Sequence, residues 1–203
     1  MSNNTKATTD EIFLYLEKMI GPQGKDIIDE FTHLRDAGCK DDALKLLLEY
    51  DEQLGGLGIY LKIGEKLPGI YRALSYVGFP LLMPNPENVT RFMIHSACIY
   101  LEELLKKIVR IMPWEEIKAD SLPLGALVKR ARKRLKPSIY EQLSWLAGNV
   151  YNFAKHHANL ENEGEPDHYF SLAEAIAIYF IVRKLGLELE ELVEDKSKLL
   201  QPL

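Results

Sequence analysis

One run of this chain limits the folds open to it more than any other. From Asn88 to Met112, the residues Ile94, Ala97, Cys98, Leu101, Leu104, Leu105, Ile108 and Ile111 recur at three- and four-residue spacing, which places them on one face of a long helix. That stripe needs apolar partners on at least two sides, and buried helices obtain such partners from other helices or from a sheet. Apolar residues at helical spacing and helix-capping signals recur along the rest of the chain, so the expectation is an all-α protein.

The helices that precede the run are marked by their ends. Thr8-x-x-Glu11 is a capping box that opens the first, and Gly21-Pro22 closes it. Ile27, Ile28, Phe31 and Leu34 form the apolar face of a second helix, which Gly38 ends. Asp41 or Asp42 can cap a third, with Ala43, Leu44, Leu47 and Leu48 spaced for burial. This helical hairpin has no second copy at the same period, so the chain is not a repeat protein. Gly55-Gly56-Leu57-Gly58 reads as a turn, followed by short helices over 59–66 and 70–77. Pro80, Pro84 and Pro86 then interrupt helix formation. They divide the chain into an N-terminal helical extension, 1–83, and a helical bundle, 84–203, and a chain starting near Pro84 is expected to fold on its own.

Within the bundle, a helix over 121–136 carries Leu124, Leu127, Val128, Ala131 and Leu135 on one face. Ser138-x-x-Glu141 beside Pro137 opens the next, with Ile139, Leu143, Leu146, Val150 and Phe153 facing inward. An acidic loop over 159–167 follows. Ser171-x-x-Glu174 opens a strongly apolar helix over 172–185 that Gly186 is expected to stop, and an acidic helix over 188–200 comes after it.

Bulk properties exclude several classes. With 47% hydrophobic residues among 203, the chain is not disordered as a whole. A net charge of -5 confines any nucleic-acid contact to a local patch. Two cysteines, Cys39 and Cys98, suit free thiols in a reducing compartment. The polar start of the chain has no secretory pattern and no apolar run reaches the ~18 residues of a membrane span, so a cytoplasmic protein is expected.

Walker loops, nucleophile elbows and zinc-spaced cysteine pairs are absent from the sequence. Polar, titratable and aromatic residues converge only at Gly148 to His157, where Asn149, Asn152, Lys155, His156 and His157 are the candidate catalytic residues. Two imidazoles with pKa values near neutrality can act as general base and general acid, and a neighbouring cation can stabilise charge developing on a phosphorus centre. The same histidines at a helix C-terminus could instead serve as favourable charges, worth about 0.3 to 1 kcal/mol. His168, Asp167 and the loop glutamates follow no metal-ligand spacing, so neither a metal nor a cofactor is assigned. Lys129, Arg130, Arg132, Lys133, Arg134 and Lys136 form the candidate RNA-binding stretch, unless they are a solvated face paired with the acidic C-terminal helix.

Four helices after residue 88, a polar motif ending in histidine at the close of the third, a loop, and then Ser171-Leu172-Ala173-Glu174-Ala175-Ile176-Ala177-Ile178-Tyr179 together resemble the HEPN superfamily. The resemblance covers about Asn88 to Gly186 and implies a four-helix bundle that acts on RNA as a homodimer, with a metal-independent ribonuclease site facing a shared cleft. Active members carry an arginine, a polar residue and, a few positions on, a histidine. His156 or His157 matches the histidine and Asn149 or Asn152 the polar residue, but Gly148, Asn149, Val150 and Tyr151 leave no arginine in the motif. The alternative is a noncatalytic helical module for dimerisation or protein interaction.

Overall fold

The computed structural model describes residues 5–54, 87–110, 119–156 and 170–194, and every regular element among them is helical. In order these are α1 (Thr9–Ile20), α2 (Gln23–Asp36), α3 (Lys40–Gln53), α4 (Glu87–Arg110), a 3-10 turn (Ala119–Ser121), α5 (Leu124–Ala131), a second 3-10 turn (Arg132–Arg134), α6 (Pro137–Trp145), a π-helical turn (Leu146–Tyr151), α7 (Asn152–His156) and α8 (Leu172–Glu194). The all-α class expected from the periodicity holds. The glycine-rich turn at 55–58, the segments 59–66 and 70–77, the proline cluster, the acidic loop at 159–167 with His168, and His157 lie outside the described residues.

The protein is built around α8. From Glu174 to Arg183 every residue is buried, the pattern of a helix surrounded by others. α4 packs along one side of it and α1 with α2 along another, while α5 and α7 cover a second side of α4. The long stripe on α4 thus has the two neighbours its width demands.

Helix ends follow local chemistry, with departures that have local causes. Thr8 with Glu11 and Ser171 with Glu174 form the capping boxes expected of them. Ser138 does not, because α6 starts at Pro137, two residues before a helix capped by Ser138 would, and the fixed φ and missing N–H of Pro137 suit the first helical position. Asp41 and Asp42 lie inside the first turn of α3 rather than at its cap, where their carboxylates complement the exposed amides. The helix expected over 121–136 is shorter than that. Pro137 drives Lys136 to an extended ψ of 142°, and the chain leaves α5 through the 3-10 turn at Arg132.

Gly186 is the clearest correction. It does not stop the apolar helix, which runs through it to Glu194. A methyl group at this position would overlap the ring of Tyr100 on α4, so the glycine is there for close approach of two helices, not for a turn.

The core crosses the division at residues 83 and 84. Ile12, Leu16, Ile28 and Phe31 belong to the same buried cluster as the apolar residues of α4 and α8. Tyr15 on α1 stacks on Trp145 of α6, with ring centroids 4.0 Å apart. At the end of α3, Asp51 Oδ1 accepts hydrogen bonds from Tyr179 Oη at 2.9 Å and from Arg183 Nε at 3.1 Å. Both partners of this ion pair are buried, at 1% and 0% side-chain exposure. Beside it, burial raises the pKa of the Tyr100 phenol; the Glu190 carboxylate pushes the same way and the Arg183 guanidinium opposes. A chain starting near Pro84 would expose one side of α8 and lack the carboxylate opposite Arg183.

Candidate functional site

The local structure of the 148–157 stretch differs from the continuous helix expected there. Six residues, Leu146–Tyr151, form a π-helical turn, in which the Asn152 N–H bonds back to the Ala147 carbonyl. A π turn inserts one residue into the helical register, and such turns are frequent at functional sites. The inserted residue shifts the inward face. Phe153, expected inside, is only half-buried, whereas Tyr151 and Ala154 are buried.

Asn149 sits within this turn and holds the N-terminal segment. Its side-chain Nδ2 donates to the Thr5 carbonyl at 2.9 Å, and its carbonyl accepts from the Ala7 N–H at 2.8 Å. The same segment is fastened twice more. Lys6 Nζ lies 4.7 Å from the Phe170 ring centroid, and Thr9 Oγ1 donates to Glu174 Oε1 at 2.6 Å. Phe170 in turn accepts through its carbonyl from Thr90 Oγ1, 2.8 Å away in the first turns of α4. Residues 5–9 therefore tie together the π turn, the start of α8 and, through Phe170, the start of α4.

Between α4 and α7 lies an open cleft of about 290 Å³ lined by Arg91, Phe92, His95, Ala154 and Lys155. Arg91 and Lys155 are cationic, and Phe92 is 42% exposed although it is a large aromatic. The guanidinium carbon of Arg91 stands 4.7 Å from the Phe92 ring centroid, and Lys155 Nζ 5.6 Å from that of Tyr151. His95 stacks on Tyr151 with centroids 5.6 Å apart and ring planes 6° from parallel. Glu102 lies behind the pair and accepts the first N–H of α5, from Leu124, at 3.1 Å.

The electrostatics follow from that arrangement. Burial lowers the pKa of His95 below the ordinary histidine value; the Glu102 carboxylate opposes the shift and the Lys155 ammonium adds to it. Burial first, and Glu102 next, raise the Tyr151 phenol, which stays neutral at any physiological pH. Complete burial raises the thiol of Cys98, leaving it an inert apolar residue, while Cys39 is exposed.

The residues singled out in the sequence are thus only partly brought together. Lys155 reaches the cleft, and Asn152 is exposed one turn before it. Asn149 is engaged with the N-terminal segment. His156 is the last residue of α7, and its side chain, like the whole of His157, is outside the described set. Two groups that sequence reading missed, Arg91 and His95, stand on the polar edge of the α4 stripe. Their i, i+4 spacing put them on one helix face, but nothing local indicated that Lys155 would face them.

The basic stretch is elsewhere. Lys129, Arg130, Arg132, Lys133 and Lys136 are exposed, whereas Arg134 is buried at 8% exposure. Arg132 lies over the Tyr140 ring at 5.2 Å, and Lys136 pairs with Glu188 of α8 at 3.5 Å. Glu188 is sixteen residues along α8 from Leu172, so the basic end and the cleft end are separated by roughly 24 Å at 1.5 Å per residue. Among the described residues no group of three or more His, Cys, Asp or Glu could hold a metal ion, and no helix is long and apolar enough to cross a membrane. The chain matches no protein-family model, no curated protein and no solved structure.

Proposed function

We propose that this is an RNA-directed protein that holds single-stranded RNA in the cleft between α4 and α7. The observation that carries the reading is the convergence of Lys155, Arg91 and His95 with an exposed aromatic ring, Phe92, in one open cleft. Cations follow the phosphates of a strand and aromatic rings accept its bases, a combination that requires no base-specific contact. The HEPN resemblance extends the proposal to metal-independent cleavage by His156 or His157, acting as a homodimer. Purified protein incubated with mixed single-stranded RNA should then cut it in the presence of chelator, with an optimum inside pH 5 to 9, where histidine titrates. Alanine at the catalytic histidine should lower the rate by ~10²-fold or more. Replacing Lys155 with alanine should weaken RNA binding about tenfold, the scale of one lost charge-assisted contact. RNA left uncut under all these conditions, yet bound, would remove catalysis and keep recognition.

The second reading is a noncatalytic dimerisation or interaction module. It is favoured by Asn149, a motif position whose amide and carbonyl both hold the N-terminal segment, and by the motif's lack of arginine. A protein that neither binds nor cuts RNA but forms a stable dimer in light scattering would establish it.

A further inference from the structure

The cleft has more chemical detail than a generic basic patch. Among the described residues, the side chains of Arg91 and Lys155, one aromatic ring and one imidazole line a space near the lower limit of ligand pockets, on the scale of one phosphate with one base. Among the described lining residues, His95 is the one whose side chain ordinarily titrates near neutral pH. Among the described residues, the ionisable groups around it are Glu102 and the thiol of Cys98 from its own helix, Arg91 one turn before it, Tyr151 from the π turn and Lys155 from α7.

We infer that the cleft seats one nucleotide of a single strand, its phosphate between Arg91 and Lys155 and its base on Phe92, with the protonated imidazole of His95 as a third cation on that phosphate. This rests on the RNA reading above and names the subsite it uses. The geometry explains why the third cation is conditional. His95 is half-buried, and this burial outweighs the opposing Glu102 carboxylate; the Lys155 ammonium adds to the preference for the neutral ring. A phosphate brought between Arg91 and Lys155 screens that repulsion and gives the imidazolium an acceptor. By linkage, anything that binds the protonated form more tightly must raise its proton affinity, so binding and protonation reinforce one another. Tyr151 acts as a positioning residue here: its ring, parallel to the imidazole, holds His95 at the cleft wall, and its neutral hydroxyl adds no competing charge.

The test is fluorescence anisotropy with a short labelled single-stranded RNA at about pH 8 and about pH 5.5, on either side of the ordinary histidine value. The full chain should bind roughly tenfold more tightly at the lower pH, the gain one linked proton can supply per pH unit. In His95→Gln that gain should vanish, leaving the same affinity at both pH values. Phe92→Ala should weaken binding about tenfold at both pH values, as expected for a lost stacking platform, and keep the pH response. As a second readout, inorganic phosphate added to the wild-type protein should move the NMR titration of the His95 ring to higher pH, which decides the matter even if the glutamine variant fails to fold. An equal pH response in wild type and His95→Gln, with RNA bound in both, overturns the role of His95 and leaves the RNA reading intact. RNA unbound at both pH values, with phosphate still shifting the His95 titration, overturns the RNA reading and leaves the phosphate subsite. Neither RNA binding nor a phosphate-induced shift sinks both.

Discussion

The two ends of α8 present cations in opposite ways. At its C-terminal end, six basic residues crowd into eight positions, and the structure places Lys136 against Glu188, Arg132 over Tyr140, and Arg134 in the interior. At its N-terminal end, the sequence shows no comparable run of lysines and arginines, yet Arg91, His95 and Lys155 line one cleft with an exposed phenylalanine. The denser run of charge spreads over several surroundings, whereas the sparser set meets in one cleft. Charge density along a chain counts residues, whereas recognition depends on charges that converge in space around a concave surface.

The largest test of this comparison lies in the core that joins the two ends. Asp51→Ala removes the carboxylate opposite a fully buried Arg183 and should cost about 3 kcal/mol or more, read as a lower midpoint in denaturant and thermal unfolding. A chain starting at Pro84 should do worse and lose its cooperative transition. If either protein unfolded like the wild type, α1 to α3 would be an appendage and the cleft would depend on the bundle alone.

Glycine substitutions should differ between the two ends. Gly186→Ala drives a methyl group into the Tyr100 ring and should destabilise by about 1 to 3 kcal/mol, as overpacking does. Gly125→Ala in α5 meets only the Ala147 methyl at ordinary contact distance and should be neutral or stabilising by up to about 1 kcal/mol. Equal effects of the two changes on the melting temperature would contradict the close approach of α4 and α8.

A smaller loss is expected at the N-terminal fastening. Asn149→Ala removes the bond to Thr5 and should cost about 1 kcal/mol, with faster hydrogen exchange in residues 5–9 and at the π turn. RNA affinity should fall with it if the turn positions the cleft, while variants of Lys129 or Lys133 keep their affinity. Loss of binding on changing those lysines, with Asn149→Ala unaffected, would move the site to the basic end.

The smallest effect is on stability against pH. The pKa of His95 is lower in the folded protein than in the unfolded chain, so the unfolded state binds more protons as pH falls through the ordinary histidine range. Stability from this group is therefore complete above about pH 6.5 and declines as pH falls below it, and His95→Gln should flatten that part of the profile. Bound RNA should shift the decline to lower pH, because it favours the protonated folded form.

Much of the fold was legible in the residues. The stripe on α4, the capping boxes at Thr8 and Ser171, and the ends of α1 and α2 at Gly21 and Gly38 are all decided within one or two helical turns. The site was legible in part, since Lys155 was singled out for its place beside the histidines, not for the partners it meets. Gly186 was misread because a glycine that ends a helix and one that admits a neighbouring ring look the same along the chain.

The amino-acid sequence by itself determined that this protein is helical and where most of its helices begin, because hydrogen bonds, caps and apolar periodicity act over a few residues. Tertiary structure alone decided that Asp51 would meet Arg183 across 132 positions, that residues 5–9 would be tied to a π turn, and that His95 would share a cleft with Lys155. Those contacts depend on how whole apolar faces pack around α8, and such packing has no signature in the spacing of any one segment.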